Sequence, residues 1–161
     1  MSVSEARSSG VRVTMSVLIA LIFAILPLPT AIEPAKPHLL LLFVIYWALS
    51  APRVAGLMFA WFCGLAIDLL KGPLLGQHAA AFLLIAFLTH KFQLRMRIFP
   101  IYHQTLTVFM LLALYEFVLF WIDGIIGQAV TTWWRWMPVL TSTLLWPVLV
   151  AMLDTLNRRR R

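Results

Sequence analysis

The chain has 161 residues, of which 62% are hydrophobic and 12% are charged, and its mean hydropathy is +0.92. A soluble domain of this length cannot bury so large an apolar fraction, so the composition predicts a polytopic, all-α integral membrane protein. The formal net charge of +7 would suggest nucleic acid as the partner of a soluble protein. Here the basic residues lie at the ends of apolar runs, which indicates membrane topology and anionic lipid headgroups instead of nucleic acid.

Six apolar segments are predicted to form transmembrane helices, and prolines mark most of their boundaries. They cover about residues 13–28, 38–51, 54–70, 73–89, 101–122 and 136–153 of a single membrane domain, 1–161. The second segment would span only about 21 Å as a helix, short of the roughly 30 Å hydrocarbon core. A five-helix arrangement with a re-entrant second segment therefore stays open.

The distribution of Lys and Arg favours six spans with both termini in the cytoplasm. In that arrangement every Lys and Arg except Lys36, Lys71 and Arg135 lies on the cytoplasmic side, as the positive-inside rule requires. The tryptophans between residues 121 and 136 then fit an outer aromatic belt. An aromatic docking patch for an extracytoplasmic partner is the alternative interpretation.

The first segment carries small residues at a spacing of four, at Ser16, Ala20 and Ala24. Such a stripe lies on one side of a helix and lets another membrane helix approach closely. Packing within the protein's own bundle is one interpretation, and recruitment of a second membrane protein is the other. Residues 26–33 contain no clear small-x-small cleavage site, so this segment is predicted to be a retained helix.

The third segment continues this pattern and runs into a polar turn. Small residues at Gly56, Ala60 and Gly64 predict a close-packed helix face. The turn that follows is predicted to be extracytoplasmic. Its polar or flexible residues are Asp68, Lys71, Gly72, Gly76, Gln77 and His78.

Asp68 is a carboxylate near the end of the small-residue stripe, and its burial is costly unless it lies at an interface or has a partner. It is expected either to pair with Lys71 or to cap the start of the fourth segment. A partner-binding or ligand-gating turn is the functional alternative. Metal binding is not favoured, because Asp68 and His78 lack a third ligand.

Three further features lie in the later segments. Glu116 is an intramembrane carboxylate, for which interhelical hydrogen bonding is favoured over transport because no other acid lies near it for a relay until Asp123 at the end of the segment. Pro147 is expected to kink the sixth helix, since it cannot donate a hydrogen bond to the carbonyl of Thr143. Residues 91–99 alternate basic or polar with apolar side chains and are expected to form a linker on the inner membrane surface.

No pattern in the sequence indicates catalysis. There is no Ser-His-Asp set, no P-loop and no Cys/His cluster, and the single cysteine lies inside an apolar run. We therefore predict no enzymatic activity, no metal site and no cofactor.

Four blocks of sequence, in order along nearly the whole chain, resemble the MreD family of bacterial rod-shape proteins. They are LFVIYW at 42–47, GLAID at 64–68 with GPLLGQH at 72–78, RMRIFP at 95–100 and WMPVLTSTLLWP at 136–147. The resemblance implies a non-catalytic scaffold in the cell inner membrane that supports peptidoglycan synthesis in the lateral wall and maintains cell shape. It implies MreC as a direct partner, and MreB, RodA and a class B penicillin-binding protein as partners through the complex.

The fold of this family is similar to that of the S components of energy-coupling-factor vitamin transporters. In those proteins an Ala-x-x-x-Ala stripe on the first helix contacts the transport module, and Ala20-x-x-x-Ala24 resembles it. Small-molecule capture for uptake is therefore the alternative function. It requires polar groups that converge in the extracytoplasmic loops, and the loops at 30–36 and 123–135 are not expected to supply them.

Overall fold

The described part of the chain forms six α-helices, packed side by side. In a computed structural model of the chain, residues 3–27, 29–30, 33–71, 74–127 and 133–158 are described. The helices are α1 (Val3–Ile25), α2 (Leu39–Ser50), α3 (Leu57–Lys71), α4 (Gln77–Ile98), α5 (Ile101–Ile126) and α6 (Met137–Arg158), with short 3₁₀ helices at Glu33–Ala35 and Trp133–Trp136. These residues contain no β-strand, and the all-α prediction is therefore confirmed.

The observed helix ends differ from the approximate segment bounds, and at two places the reason lies in the local sequence. Residues 91–98 are not a linker, because α4 continues through them to Ile98; no glycine or proline interrupts the chain there before Pro100. The third segment was predicted to begin at about residue 54, but α3 begins at Leu57, so Gly56 precedes the helix. The small-residue stripe on α3 therefore starts at Ala60.

Among the described residues, two helical stretches, Ile101–Ile126 and Trp134–Thr155, are long and apolar enough to cross a membrane by length and composition. Large apolar side chains on the outside of the bundle are also widely exposed, on α1 and α4 as well as on α5 and α6. The count of six spans stays a prediction.

The short helix α2 lies at the centre of the bundle. Its 12 residues rise about 18 Å, and every side chain from 40 to 49 is buried. At one end the backbone N–H of His38 donates to Ser142 Oγ at 2.8 Å. At the other, Gln93 Nε2 donates to the carbonyl of Leu49 at 3.3 Å and Arg97 Nη2 to that of Ser50 at 3.2 Å. Because neighbouring helices satisfy backbone groups at both ends, this helix does not need the length of a lipid-exposed span.

The small-residue stripe of α1 faces the inside of the bundle. Trp47 Nε1 on α2 donates to Ser16 Oγ at 2.8 Å, and Ala20 is only 1% exposed whereas its neighbour Ile19 is 61% exposed. Ala24 is half-buried and packs against the same core. The side of α1 that a second protein can reach therefore carries large apolar side chains, not Ser16 and Ala20.

Helices α3 and α4 make a close backbone contact at Gly64. A Cβ atom at Gly64 would lie 2.5 Å from the Cα of Ala79 and 2.7 Å from its backbone nitrogen. Ala60, one turn earlier, is fully buried. The absence of a side chain at Gly64 thus sets how closely the start of α4 approaches α3.

Candidate functional site

Buried polar side chains converge at one end of the bundle, where α1, α3 and α5 end and α2, α4 and α6 begin. We call this the His38 end and the opposite one the Arg97 end. The polar cluster at the His38 end consists of His38, Asp68, Gln77, His78, Glu116, Asp123 and Arg135. Burial of so many polar groups is costly unless each finds a partner, so their bonding decides what the site can do.

Asp68 caps the start of α4. Its Oδ1 accepts from the backbone N–H of His78 at 2.9 Å and lies 2.8 Å from His78 Nδ1. Its Oδ2 accepts from the backbone N–H groups of Gly76 at 2.9 Å and Ala79 at 3.1 Å. A carboxylate in this position satisfies N–H groups that have no partner within the helix and interacts favourably with the helix dipole. Of the two structural interpretations of Asp68, capping is therefore the observed one; Lys71 is exposed at the end of α3.

Arg135 joins the two carboxylates of α5. Its Nε donates to Glu116 Oε2 at 3.2 Å, and its Nη2 lies 2.6 Å from Asp123 Oδ2. Glu116 and Asp123 stand two helical turns apart on the same face of α5, which lets one guanidinium from the 3₁₀ helix Trp133–Trp136 reach both. The side chain of Arg135 is 22% exposed. This pairing holds the segment before α6 against α5.

The remaining bonds connect this pair to the other helices. His38 Nε2 lies 2.7 Å from Glu116 Oε1, and Gln77 Nε2 donates to Asp123 Oδ1 at 2.6 Å. Through these bonds the ends of α2, α4 and α5 are tied to the segment that carries Arg135. The interhelical hydrogen bonding that was favoured for Glu116 is thus present.

The ring of Tyr115 connects the two histidine–carboxylate pairs. Its centroid lies 5.1 Å from that of His38 in an edge-to-face arrangement and 6.3 Å from that of His78. It also packs edge-to-face on Phe82 of α4 at 5.7 Å. An aromatic body at this position fills the space between the pairs and keeps them in fixed relative positions.

The side chains of the cluster mainly bond to one another. The carboxylates of Asp68, Glu116 and Asp123 all bond to donors of the same chain. Across the described ranges, no group of three or more His, Cys, Asp or Glu side chains is arranged to hold a metal ion. Within the cluster, the side-chain oxygen of Gln77 is buried without a hydrogen-bond partner.

Three members of the cluster, His38, Asp123 and Arg135, were not among the candidates drawn from the sequence. The expectation that the 123–135 loop lacks convergent polar groups is wrong, because Asp123 and Arg135 both bond inward. The sequence did contain a pattern that could have indicated them. Asp123 is a second acid on the Glu116 face of α5, and Arg135 follows it closely along the chain.

The other sequence candidates lie outside the cluster. Pro147 lies inside α6, which is continuous through it, so the kink stays a prediction. Gly72 falls outside the described residues. Lys71 is exposed at the end of α3, and Gly76 precedes α4 with its backbone N–H bonded to Asp68. The other candidates lie in the α1 stripe, in the α3 stripe or just before α3: Ser16, Ala20, Ala24, Gly56, Ala60 and Gly64.

Comparison with known proteins agrees with the resemblance seen in the sequence. The family model described as rod shape-determining protein MreD matches residues 7–156. The rod shape-determining protein MreD of Haemophilus influenzae is 25% identical over 142 residues, which cover 88% of this chain and 88% of that protein. No solved structure shows significant similarity. The match spans all six helices, and the chain therefore belongs to the MreD family of rod shape-determining membrane proteins.

Proposed function

We propose that this protein is a non-catalytic membrane scaffold of the cell-wall elongation machinery, which binds MreC directly and is linked through the complex to MreB, RodA and a class B penicillin-binding protein. The observation that carries the proposal is the family match over residues 7–156, which gives the protein a role in rod shape determination. The polar cluster supports a scaffold, because its carboxylates are bonded to groups of the same chain and hold helix ends together.

Crosslinking in native membranes tests the direct partner. A photo-crosslinking residue is placed at Ile19, Phe117 or Leu144, whose side chains are exposed on α1, α5 and α6, and at Ala20 as the buried control. The scaffold proposal predicts that at least one exposed position crosslinks to MreC and that Ala20 does not. If MreC is absent from every crosslink and from the complex extracted in mild detergent, direct binding is wrong.

The proposed topology is six membrane-crossing helices in the inner membrane, with both termini in the cytoplasm. It is supported by the exposed side chains of Arg53, Lys91 and Arg95 at the Arg97 end of the bundle, because basic residues accumulate on the cytoplasmic side. The His38 end then faces outward.

Cysteine labelling tests this orientation. In a Cys63→Ala chain, Leu75→Cys at the His38 end should react with a membrane-impermeant maleimide in intact spheroplasts, and Arg53→Cys, in the exposed loop at the Arg97 end, should react only after lysis. The reverse pattern would contradict the orientation.

A second candidate function is small-molecule binding, as in the S component of an energy-coupling-factor uptake transporter. It is favoured by the convergence of polar side chains at the His38 end and by the buried, unpartnered side-chain oxygen of Gln77, because an orphaned buried acceptor is costly in a closed structure. The test is to extract small molecules from the purified protein and to measure thermal shifts against a vitamin panel. A protein that carries no ligand and shows no shift is not a capture subunit.

A further inference from the structure

The last two turns of α4, at the Arg97 end, combine basic and apolar side chains on one exposed face. Lys91, Leu94, Arg95 and Ile98 follow the spacing that places residues on the same side of a helix. Lys91 and Arg95 are exposed, and Leu94 and Ile98 are 78% and 82% exposed. We call these four residues the basic-apolar face. No other helix of the described bundle covers it.

The loop between α2 and α3 adds a further positive charge beside this face. His90 Nε2 lies 3.1 Å from the carbonyl of Ala55, and Arg97 donates to the carbonyl of Ser50. These bonds hold the loop, with its exposed Arg53, against α4. Among the side chains described at this end, the acidic one is Asp154, which accepts a hydrogen bond from Tyr46. The surface is therefore strongly positive.

The length of α4 places this face at a defined depth. The helix has 22 residues, about 33 Å, so a helix whose first turn lies at one membrane surface ends at the other. Apolar side chains at that level can enter the acyl boundary while basic side chains extend toward the phosphates. A surface that combines Lys and Arg with Leu and Ile fits the membrane interface better than it fits a water-soluble partner protein.

We propose that the basic-apolar face, together with Arg53, binds the headgroups of anionic phospholipids. We choose anionic lipid as the occupant because its charge is complementary to that of the face. A lipid also covers the highly exposed side chains of Leu94 and Ile98, which an acidic soluble protein would leave in water. The inference uses the proposed membrane topology but does not depend on binding to MreC. Its test can therefore fail while the scaffold proposal stands.

The test is lipid retention by the full-length purified protein, measured by native mass spectrometry with phosphatidylglycerol and with phosphatidylcholine of the same acyl chains. We expect preferential retention of phosphatidylglycerol. The double variant Lys91→Gln, Arg95→Gln should weaken that retention by about 25-fold, since each basic residue near an anionic surface contributes roughly fivefold. The charge-preserving variant Lys91→Arg, Arg95→Lys should retain the lipid, which separates loss of charge from loss of fold.

Two results would overturn the proposal. Equal retention of both lipids by the unmodified protein would show that the face does not select anionic headgroups. Unchanged phosphatidylglycerol retention in the double Gln variant, with loss of a protein that copurifies from native membranes, would assign the face to a protein partner instead.

Discussion

Replacing Gly64 with alanine should force α3 and α4 apart at their closest contact. The new Cβ would lie 2.5 Å from the Cα of Ala79 and 2.7 Å from the carbonyl oxygen of His78. Carbon atoms in contact prefer about 3.5–4.0 Å, so the helices must shift by about 1 Å at this point. Both neighbours are backbone atoms, so a change of side-chain rotamer cannot relieve the clash.

The expected cost has two parts. Overpacking a tightly packed contact destabilises proteins by about 1–3 kcal/mol. The same shift would lengthen the bond from the Ala79 N–H to Asp68, now 3.1 Å, and weaken the cap of α4. Loss of a helix cap costs about 0.5–2 kcal/mol. We therefore expect Gly64→Ala to lower the free energy of unfolding by about 2–5 kcal/mol.

Gly124→Ala is the matched control, since Gly124 also lies in a helix but no described atom beyond its own stretch of helix backbone lies within 4 Å of the added Cβ. Alanine should be neutral there or stabilise α5 by up to about 1 kcal/mol. Both variants are unfolded in mixed micelles with increasing denaturing detergent and followed by far-ultraviolet circular dichroism. If Gly64→Ala is as stable as the unmodified protein, or if Gly124→Ala loses as much, the proposed backbone contact is wrong.

Three further substitutions test the bonds that join the helices. Arg135→Gln should lower the free energy of unfolding by about 2–4 kcal/mol, because two buried carboxylates lose their guanidinium partner and keep only their bonds to His38 and Gln77. Adding Glu116→Gln should recover part of this loss, and strictly additive effects in a double-mutant cycle would contradict the pairing. Asp68→Asn keeps one acceptor oxygen and should lower the free energy of unfolding by about 1–2 kcal/mol. Amide hydrogen exchange in the first turn of α4 should become faster, and unchanged exchange there would refute the cap. Trp47→Phe should cost about 1–2 kcal/mol by leaving the hydroxyl of Ser16 without its donor, and an unchanged unfolding midpoint would show that this bond does not link α1 to α2.

The features that could be predicted from the sequence are those set by local spacing. Asp68 and the start of α4 lie close along the chain, so capping was one of the two expected structural roles. The small residues at Ala60 and Gly64 pointed to a close-packed face of α3. Glu116 was recognisable because a carboxylate inside a long apolar segment needs a partner.

The partners of Glu116 could not be predicted, because they come from distant parts of the chain. His38 precedes α2 and Arg135 follows α5, and nothing in either local sequence says that both point to the same carboxylate. The order of the apolar segments and the distribution of basic residues assigned Arg135 to an outer loop. The 3₁₀ helix that carries Arg135 packs against α5 and α6, and this packing turns the loop arginine inward.

The short helix α2 shows a second reason why sequence was insufficient. Its length suggested a re-entrant segment, since length was judged against a lipid bilayer. In the bundle α2 is surrounded by protein, and Ser142, Gln93 and Arg97 bond the backbone at its ends. The environment of this helix is the rest of the protein, and hydropathy does not distinguish burial in protein from exposure to lipid.

Cell shape after depletion of the protein in its own host tests the central claim most directly. If the protein is a scaffold for rod-shaped growth, full depletion should turn rods into rounded cells with disordered insertion of new wall. Expression of the unmodified chain should restore rods. Cells that keep normal rod shape and normal lateral wall insertion, with the protein undetectable, would contradict the account.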